Sequence, residues 1–132
     1  MNRYLLIDDD EIIIMIHPAI IRRVDKDCHI DISKQSYEAL DFLNKQLAEG
    51  NNPPDFIFLD INMPMMNGFQ FLDKLSDQLI EFLRNSQVVM LSSSVDPRDI
   101  EKAKHYPIVK DFISKPLSID YINTILNKDS NK

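Results

Sequence analysis

The chain has 132 residues, a single cysteine and a formal net charge of -6, with 44% hydrophobic and 27% charged residues. Such a length and composition suit one domain that buries its own core and exclude a disordered chain, and no apolar run is long enough to cross a bilayer. The lone Cys28 excludes an internal disulfide, the scattered His17, His29 and His105 give no zinc spacing, and dispersed Lys and Arg in an acidic chain argue against direct nucleic-acid binding.

Tyr4-Leu5-Leu6-Ile7 is too short an apolar run for the core of a signal peptide and turns acidic at once in Asp8-Asp9-Asp10, so the chain reads as cytoplasmic, with no membrane attachment. It has the form of a buried strand. A helix is predicted from about Glu11 to Val24, where Pro18 removes a hydrogen bond, clashes with the carbonyl of Ile14 and predicts a kink. The run Ile12-Ile13-Ile14-Met15-Ile16 holds more apolar residues than one buried face needs, so part of it is expected at the surface.

His29-Ile30-Asp31-Ile32-Ser33 alternates polar and apolar, as an edge strand with one wet face does. Ala39, Phe42, Leu43 and Leu47 mark a second helix, which Gly50-Asn51-Asn52-Pro53-Pro54 ends. Phe56-Ile57-Phe58-Leu59 is a third strand, closed by Asp60, and Phe69, Leu72, Leu75, Leu79 and Phe82 have the spacing of one helix. Met63, Met65 and Met66 lie in the loop between them and are expected to pack over it.

Val88-Val89-Met90-Leu91 repeats the strand form and ends in Ser92-Ser93-Ser94. Asp96-Pro97 opens a helix through Ile100 and Ala103, Phe112-Ile113 is a brief edge strand, and Ile119, Ile122, Ile125 and Leu126 mark the last helix after Lys115-Pro116. Strands and helices alternate, and continuous apolar strands require a parallel sheet covered on both faces. The class is α/β, a doubly wound five-stranded parallel sheet of order 2-1-3-4-5 with five helices.

In a sheet of that order, ligands sit beyond the carboxyl ends of the strands near the first and third, where Asp8, Asp9, Asp60 and Ser92 fall. Three carboxylates in a small volume repel and raise one another's pKa, so a cation is needed. Oxygen donors without thiolate or imidazole suit Mg2+, which takes one or two carboxylates and leaves Asp60 free to attack a phosphoryl group. Lys115 and Ser92 are placed to meet the phosphoryl oxygens.

Four motifs in order then resemble the receiver domain of two-component response regulators, over essentially the whole chain. "LLIDDDE" resembles the acidic-pair strand, "FIFLDINMPMMNG" the acceptor strand and loop, "VVMLSSS" the hydroxyl strand, and "FISKPL" the lysine-proline strand. The resemblance implies a flavodoxin-like fold and a domain over residues 1–128 with a short tail at 129–132. It implies a phosphorylation-controlled switch, with no enzymatic activity beyond self-phosphorylation and self-dephosphorylation.

By position, Asp60 stands for the phosphorylated aspartate. Asp9 would ligate Mg2+ directly, Asp8 would help through water, and Asn62 would contribute its backbone carbonyl. Ser92 and Lys115 stand for the conserved hydroxyl and lysine of the family's site, Phe112 for the switch aromatic paired with Ser92, and Pro64 and Gly68 match the loop. The implied donor is a histidine kinase or a histidine phosphotransfer protein. A downstream protein target would bind the face of the fourth helix, fifth strand and fifth helix, and a homodimer on phosphorylation is a further implied outcome. Only "NKDSNK" follows the last helix, so output is expected through a partner.

The sequence departs from the family in two places. "AKHYPIVKDF" lacks the Gly-Ala often found before the fifth strand, offers Pro107 instead and is about one residue longer. Phe112 lacks the hydroxyl of the tyrosine common there, so switching would rest on packing. Two other classes stay open: a haloacid-dehalogenase-type phosphatase with Asp8 as nucleophile and Asp10 as acid, and a phosphorylation-independent adaptor. His17, His29 and His105 read as ordinary structural or surface residues, Cys28 as a buried hydrophobe, and Asn67-Gly68 as a turn.

Overall fold

The computed structural model describes residues 1–130. Five parallel strands, β1 (Arg3–Ile7), β2 (His29–Ser33), β3 (Phe56–Asp60), β4 (Gln87–Ser92) and β5 (Val109–Ser114), form one sheet in the order β2-β1-β3-β4-β5. The helices are α1 (Glu11–Val24), α2 (Ser36–Ala48), α3 (Gly68–Asp73), α4 (Asp77–Phe82), α5 (Pro97–Ala103) and α6 (Ile119–Ser130). The sheet matches the expected order, and the helices number six among the described residues rather than five.

The additional helix comes from a break in the run Phe69 to Phe82. Ser76 caps a new helix, its hydroxyl accepting the Leu79 amide at 3.1 Å, while the Lys74 amide closes α3 on Gln70 and Phe71. Leu72, Leu75 and Leu79 are buried in one cluster across the break, so the apolar spacing is continuous although the backbone is not. Periodicity reports which residues face the core and is blind to a serine that restarts the helix.

Alternation along the central strands divides the core in two. Leu5, Ile7, Ile57 and Leu59 face α2 to α5, while Tyr4, Leu6, Phe56, Phe58, Val89 and Leu91 face α1 and α6, joined by Ile21, Leu117 and Ile122. Tyr4 stacks on Phe56 with ring centroids 5.0 Å apart. Each such side chain contributes about 1.5–3 kcal/mol through burial. All five residues of β3 are buried, Asp60 included, whereas β2 and β5 are partly wet edges.

Asp10 caps α1, its Oδ1 accepting the Ile12 and Ile13 amides, and the helix runs without interruption through the buried Pro18. Ile12 and Met15 on its outer face are 65% and 70% exposed, as the surplus of apolar residues predicts. Met63 and Met66 pack under the loop after β3, but Met65 is exposed with a φ of 70° in the left-handed region. Cys28 is half-buried rather than fully buried.

A β-bulge interrupts the pairing of β4 with β5. Val88 pairs with Val109 but Val89 pairs with Asp111, which leaves Lys110 between the two registers. α6 runs to Ser130, and residues 131 and 132 of the expected tail lie outside the described residues.

Candidate functional site

Parallel strands bring their carboxyl ends to one edge, and there β1, β3, β4 and β5 deliver Asp8, Asp60, Ser92 and Lys115. Asp8 is held at both ends. Its amide donates to the Ser33 carbonyl at 3.1 Å and its Oδ1 accepts the Asp10 amide at 2.9 Å. Asp60 Oδ1 accepts the Asn62 amide at 3.2 Å, which turns the chain directly after β3.

Lys115 lies between the two carboxylates. Its ammonium is 2.7 Å from Asp8 Oδ2 and 3.2 Å from Asp60 Oδ1, with all three side chains buried or nearly so. Burial alone would lower the lysine pKa, but hydrogen bonding and charge from Asp8 and Asp60 outweigh it and raise the value. For Asp60, burial first and the Asp8 charge second raise the pKa to about 6, against the opposite pull of Lys115. One ammonium does not neutralise three carboxylates.

Asp8, Asp9 and Asp60 each offer a carboxylate oxygen, and these lie within 4.8 Å of one another. Asp9 is exposed while the other two are buried, so the cluster opens to solvent on one side. An all-oxygen donor set with surplus negative charge and an open face fits a hard divalent ion that keeps part of its water, as Mg2+ does. The cleft above it, about 350 Å³, is lined by Asp9, Asp60, Asn62, Ser93 and Lys115 and walled by Ile13 and Ile16 of α1.

Ser92 is fully buried, and its hydroxyl is turned into its own loop. It donates to the Ser94 carbonyl at 2.6 Å and accepts the Ser94 amide at 3.2 Å. Phe112 lies half-buried in β5, beside a cleft lined by Ile100, Ala103, Lys104 and Val109. The structure therefore gathers Asp8, Asp9, Asp60, Asn62 and Lys115, while Ser92 lies buried at the end of β4 and its neighbour Ser93 lines the cleft. Phe112 stands on the neighbouring α5–β5 face.

Two features escaped the sequence. Asn67-Gly68, expected as a turn, forms the N-cap and first residue of α3, with Asn67 and Gln70 bonding each other's backbone amides in a capping box. A Cβ on Gly68 would lie 2.8 Å from the Asp60 carbonyl oxygen and 3.1 Å from Ile61 Cα, so only glycine allows the helix to start against the end of β3. His17, expected as a structural or surface residue, is a buried structural one, and its bond to the Leu117 amide just beyond Lys115 is the part that no local pattern shows. Asp10 has its Oδ1 engaged in the α1 cap, which weakens its candidacy as a phosphatase acid.

The response regulator receiver domain family model matches residues 4–127. The chain belongs to this family. A two-component response regulator structure from Cytophaga hutchinsonii superposes with a TM-score of 0.89 at 35% identity, covering 100% of this chain and 98% of that one. Another from Legionella pneumophila gives a TM-score of 0.80 at 26% identity, covering 100% of both.

Among curated relatives, the two-component response regulator ARR12 of Arabidopsis thaliana is 28% identical over 93% of this chain but only 19% of its own length. Hybrid signal transduction histidine kinase L of Dictyostelium discoideum is 30% identical over 97% of this chain and 7% of its own length. This receiver domain thus spans a fifth or less of these two relatives. Among the described residues no helix is long and apolar enough to cross a membrane.

Proposed function

We propose that this receiver domain takes a phosphoryl group from a phosphohistidine, on a histidine kinase or a histidine phosphotransfer protein, onto a carboxylate oxygen of Asp60. The observation that carries this reading is the buried Asp60 carboxylate at the end of β3, flanked by Asp8, Asp9 and the Lys115 ammonium and open to a cleft. An oxygen–phosphorus bond forms on Asp60 as the nitrogen–phosphorus bond of the donor breaks, and the freed imidazole leaves with the partner.

Asp9 and Asp60 would hold Mg2+ directly, with Asp8 acting through water and Asn62 through its carbonyl. When bound, the ion supplies positive charge for the phosphoryl oxygens. Without the ion, burial and the Asp8 charge raise the Asp60 pKa to about 6, so its carboxylate is mostly ionised at neutral pH, and a bound cation would favour the ionised form further. Lys115 is close enough to exchange one carboxylate for a phosphoryl oxygen.

Ser92 would leave the Ser94 carbonyl for the new phosphoryl oxygens, pulling the loop between β4 and α5. That loop leads into α5, so the shift reaches the face of α5, β5 and α6, where Phe112 would repack and a downstream protein or a second copy would select the new state. The adaptor reading would need none of this chemistry.

The test is intact mass after incubation with acetyl phosphate, with and without Mg2+, on wild type and Asp60→Asn. One added phosphoryl group that requires both the ion and Asp60 is the expected result. An adduct that survives Asp60→Asn, or none from acetyl phosphate and a phosphohistidine donor alike, overturns the assignment.

A further inference from the structure

The segment between β5 and α6 carries the ammonium of the site, yet Lys115 to Ser118 belongs to no helix or strand. Hydrogen bonds along it fix its course. The Lys115 amide donates to the Ser92 carbonyl at 2.8 Å, and the Ser118 hydroxyl accepts the Tyr121 amide at 3.0 Å. Between these anchors the Leu117 amide donates to His17 Nε2 at 3.1 Å, joining residues 100 positions apart, both buried.

An imidazole nitrogen accepts a hydrogen bond only when it carries no proton, so His17 here is neutral with its proton on Nδ1. Its surroundings favour that form. Burial first and the charge of Lys115 second hold its pKa at about 4, against an opposite pull from Asp10 at the cap of α1. With Leu117 itself sealed in the core, its amide has no water to replace the histidine. Phosphoryl transfer as described above makes no use of this side chain.

We propose that His17 is a positioning residue for Lys115: by accepting the Leu117 amide it sets the loop that aims the ammonium at Asp8 and Asp60. The kinetic part of its test rests on the reading of Asp60 as phosphoryl acceptor. A rigid helix is thereby tied to the backbone of a loop whose other internal anchor is the buried Leu117 side chain.

The experiment measures the rate of phosphorylation by acetyl phosphate and Mg2+, read by intact mass, for wild type, His17→Leu, His17→Gln, Lys115→Ala and the double variant His17→Leu/Lys115→Ala. Leucine keeps an apolar filling and removes the acceptor, whereas glutamine returns an acceptor oxygen. His17→Leu is expected to slow the reaction about tenfold through misplacement of the lysine. His17→Gln should recover most of the rate, and His17→Leu should add nothing once Lys115 is alanine, because its effect passes through that residue.

No slowing by His17→Leu, or equal slowing in both backgrounds, overturns the proposal. A wild type that takes no phosphoryl group would instead contradict the acceptor reading. In that event, or if the leucine variant does not fold, nitrogen-15 NMR of wild type at neutral pH decides. The proton is expected on His17 Nδ1, with a coupling between Nε2 and the Leu117 amide, and a proton on Nε2 overturns the proposal.

Discussion

Asp60 has its pKa raised to about 6, above the 3.8 of an aspartate in an unfolded chain. Between those values the folded protein binds more protons than the unfolded one, so rising pH costs stability until Asp60 is fully ionised. Asp60→Asn removes that cost. Without Mg2+, the variant should be more stable than wild type above pH 6 by an amount on the order of 2 kcal/mol, seen as a higher melting temperature, and the gain should vanish towards pH 4. Thermal unfolding across that range checks it, and a gain independent of pH would contradict it. Gly68→Ala acts through shape instead, because its Cβ would meet the backbone of Asp60 and Ile61. A loss of about 2 kcal/mol is expected in urea unfolding, with slower phosphorylation. The acidic residues were legible because each ends an apolar strand. Gly68 was legible as a glycine of the loop, but its contact with β3 joins parts of the fold that no local pattern links. His17 was hidden for the same reason, since its partner lies 100 residues away.

Strands were easier to read than helices. Phe56 to Leu59 needs burial on both sides and says so in four consecutive apolar residues. The segment from Phe69 to Phe82 misled because two short helices share one row of leucines, and the break rests on hydrogen bonds by a serine. Ser76→Ala should therefore cost about 1 kcal/mol by removing the cap of α4, measured by denaturant unfolding, and leave the rate of phosphorylation unchanged. Serine to aspartate at this position should restore the stability. The first helix offers the converse case, since Pro18 alone did not end it: the cap at Asp10 and the buried Ile13, His17 and Ile21 keep α1 one element.

The sheet separates two cores, and its carboxyl edge is where excess negative charge is concentrated. Mg2+ should stabilise the folded protein by mass action, by about 1.4 kcal/mol at tenfold excess over its dissociation constant. The rise in melting temperature should reverse with EDTA and be lost in Asp9→Asn; a rise that persists in the variant would place the ion elsewhere. The α5–β5–α6 face lies to one side of this edge, and β5 serves both, with Phe112 on that face and Lys115 just past its end. Side chains alternate along a regular strand, so Val109 and Phe112, three apart, should point to opposite sides. They pack into the same core. The bulge at Lys110 resets the count, which puts Val109 and Phe112 on one side and leaves Asp111 onward in regular register with β4. Deleting Lys110 should therefore give a folded protein with an unaltered phosphorylation rate, while insertion of one residue after Phe112 should abolish it. A change of length at the start of β5 would thus be taken up before it reaches Lys115, so the two ends of one strand answer to separate constraints.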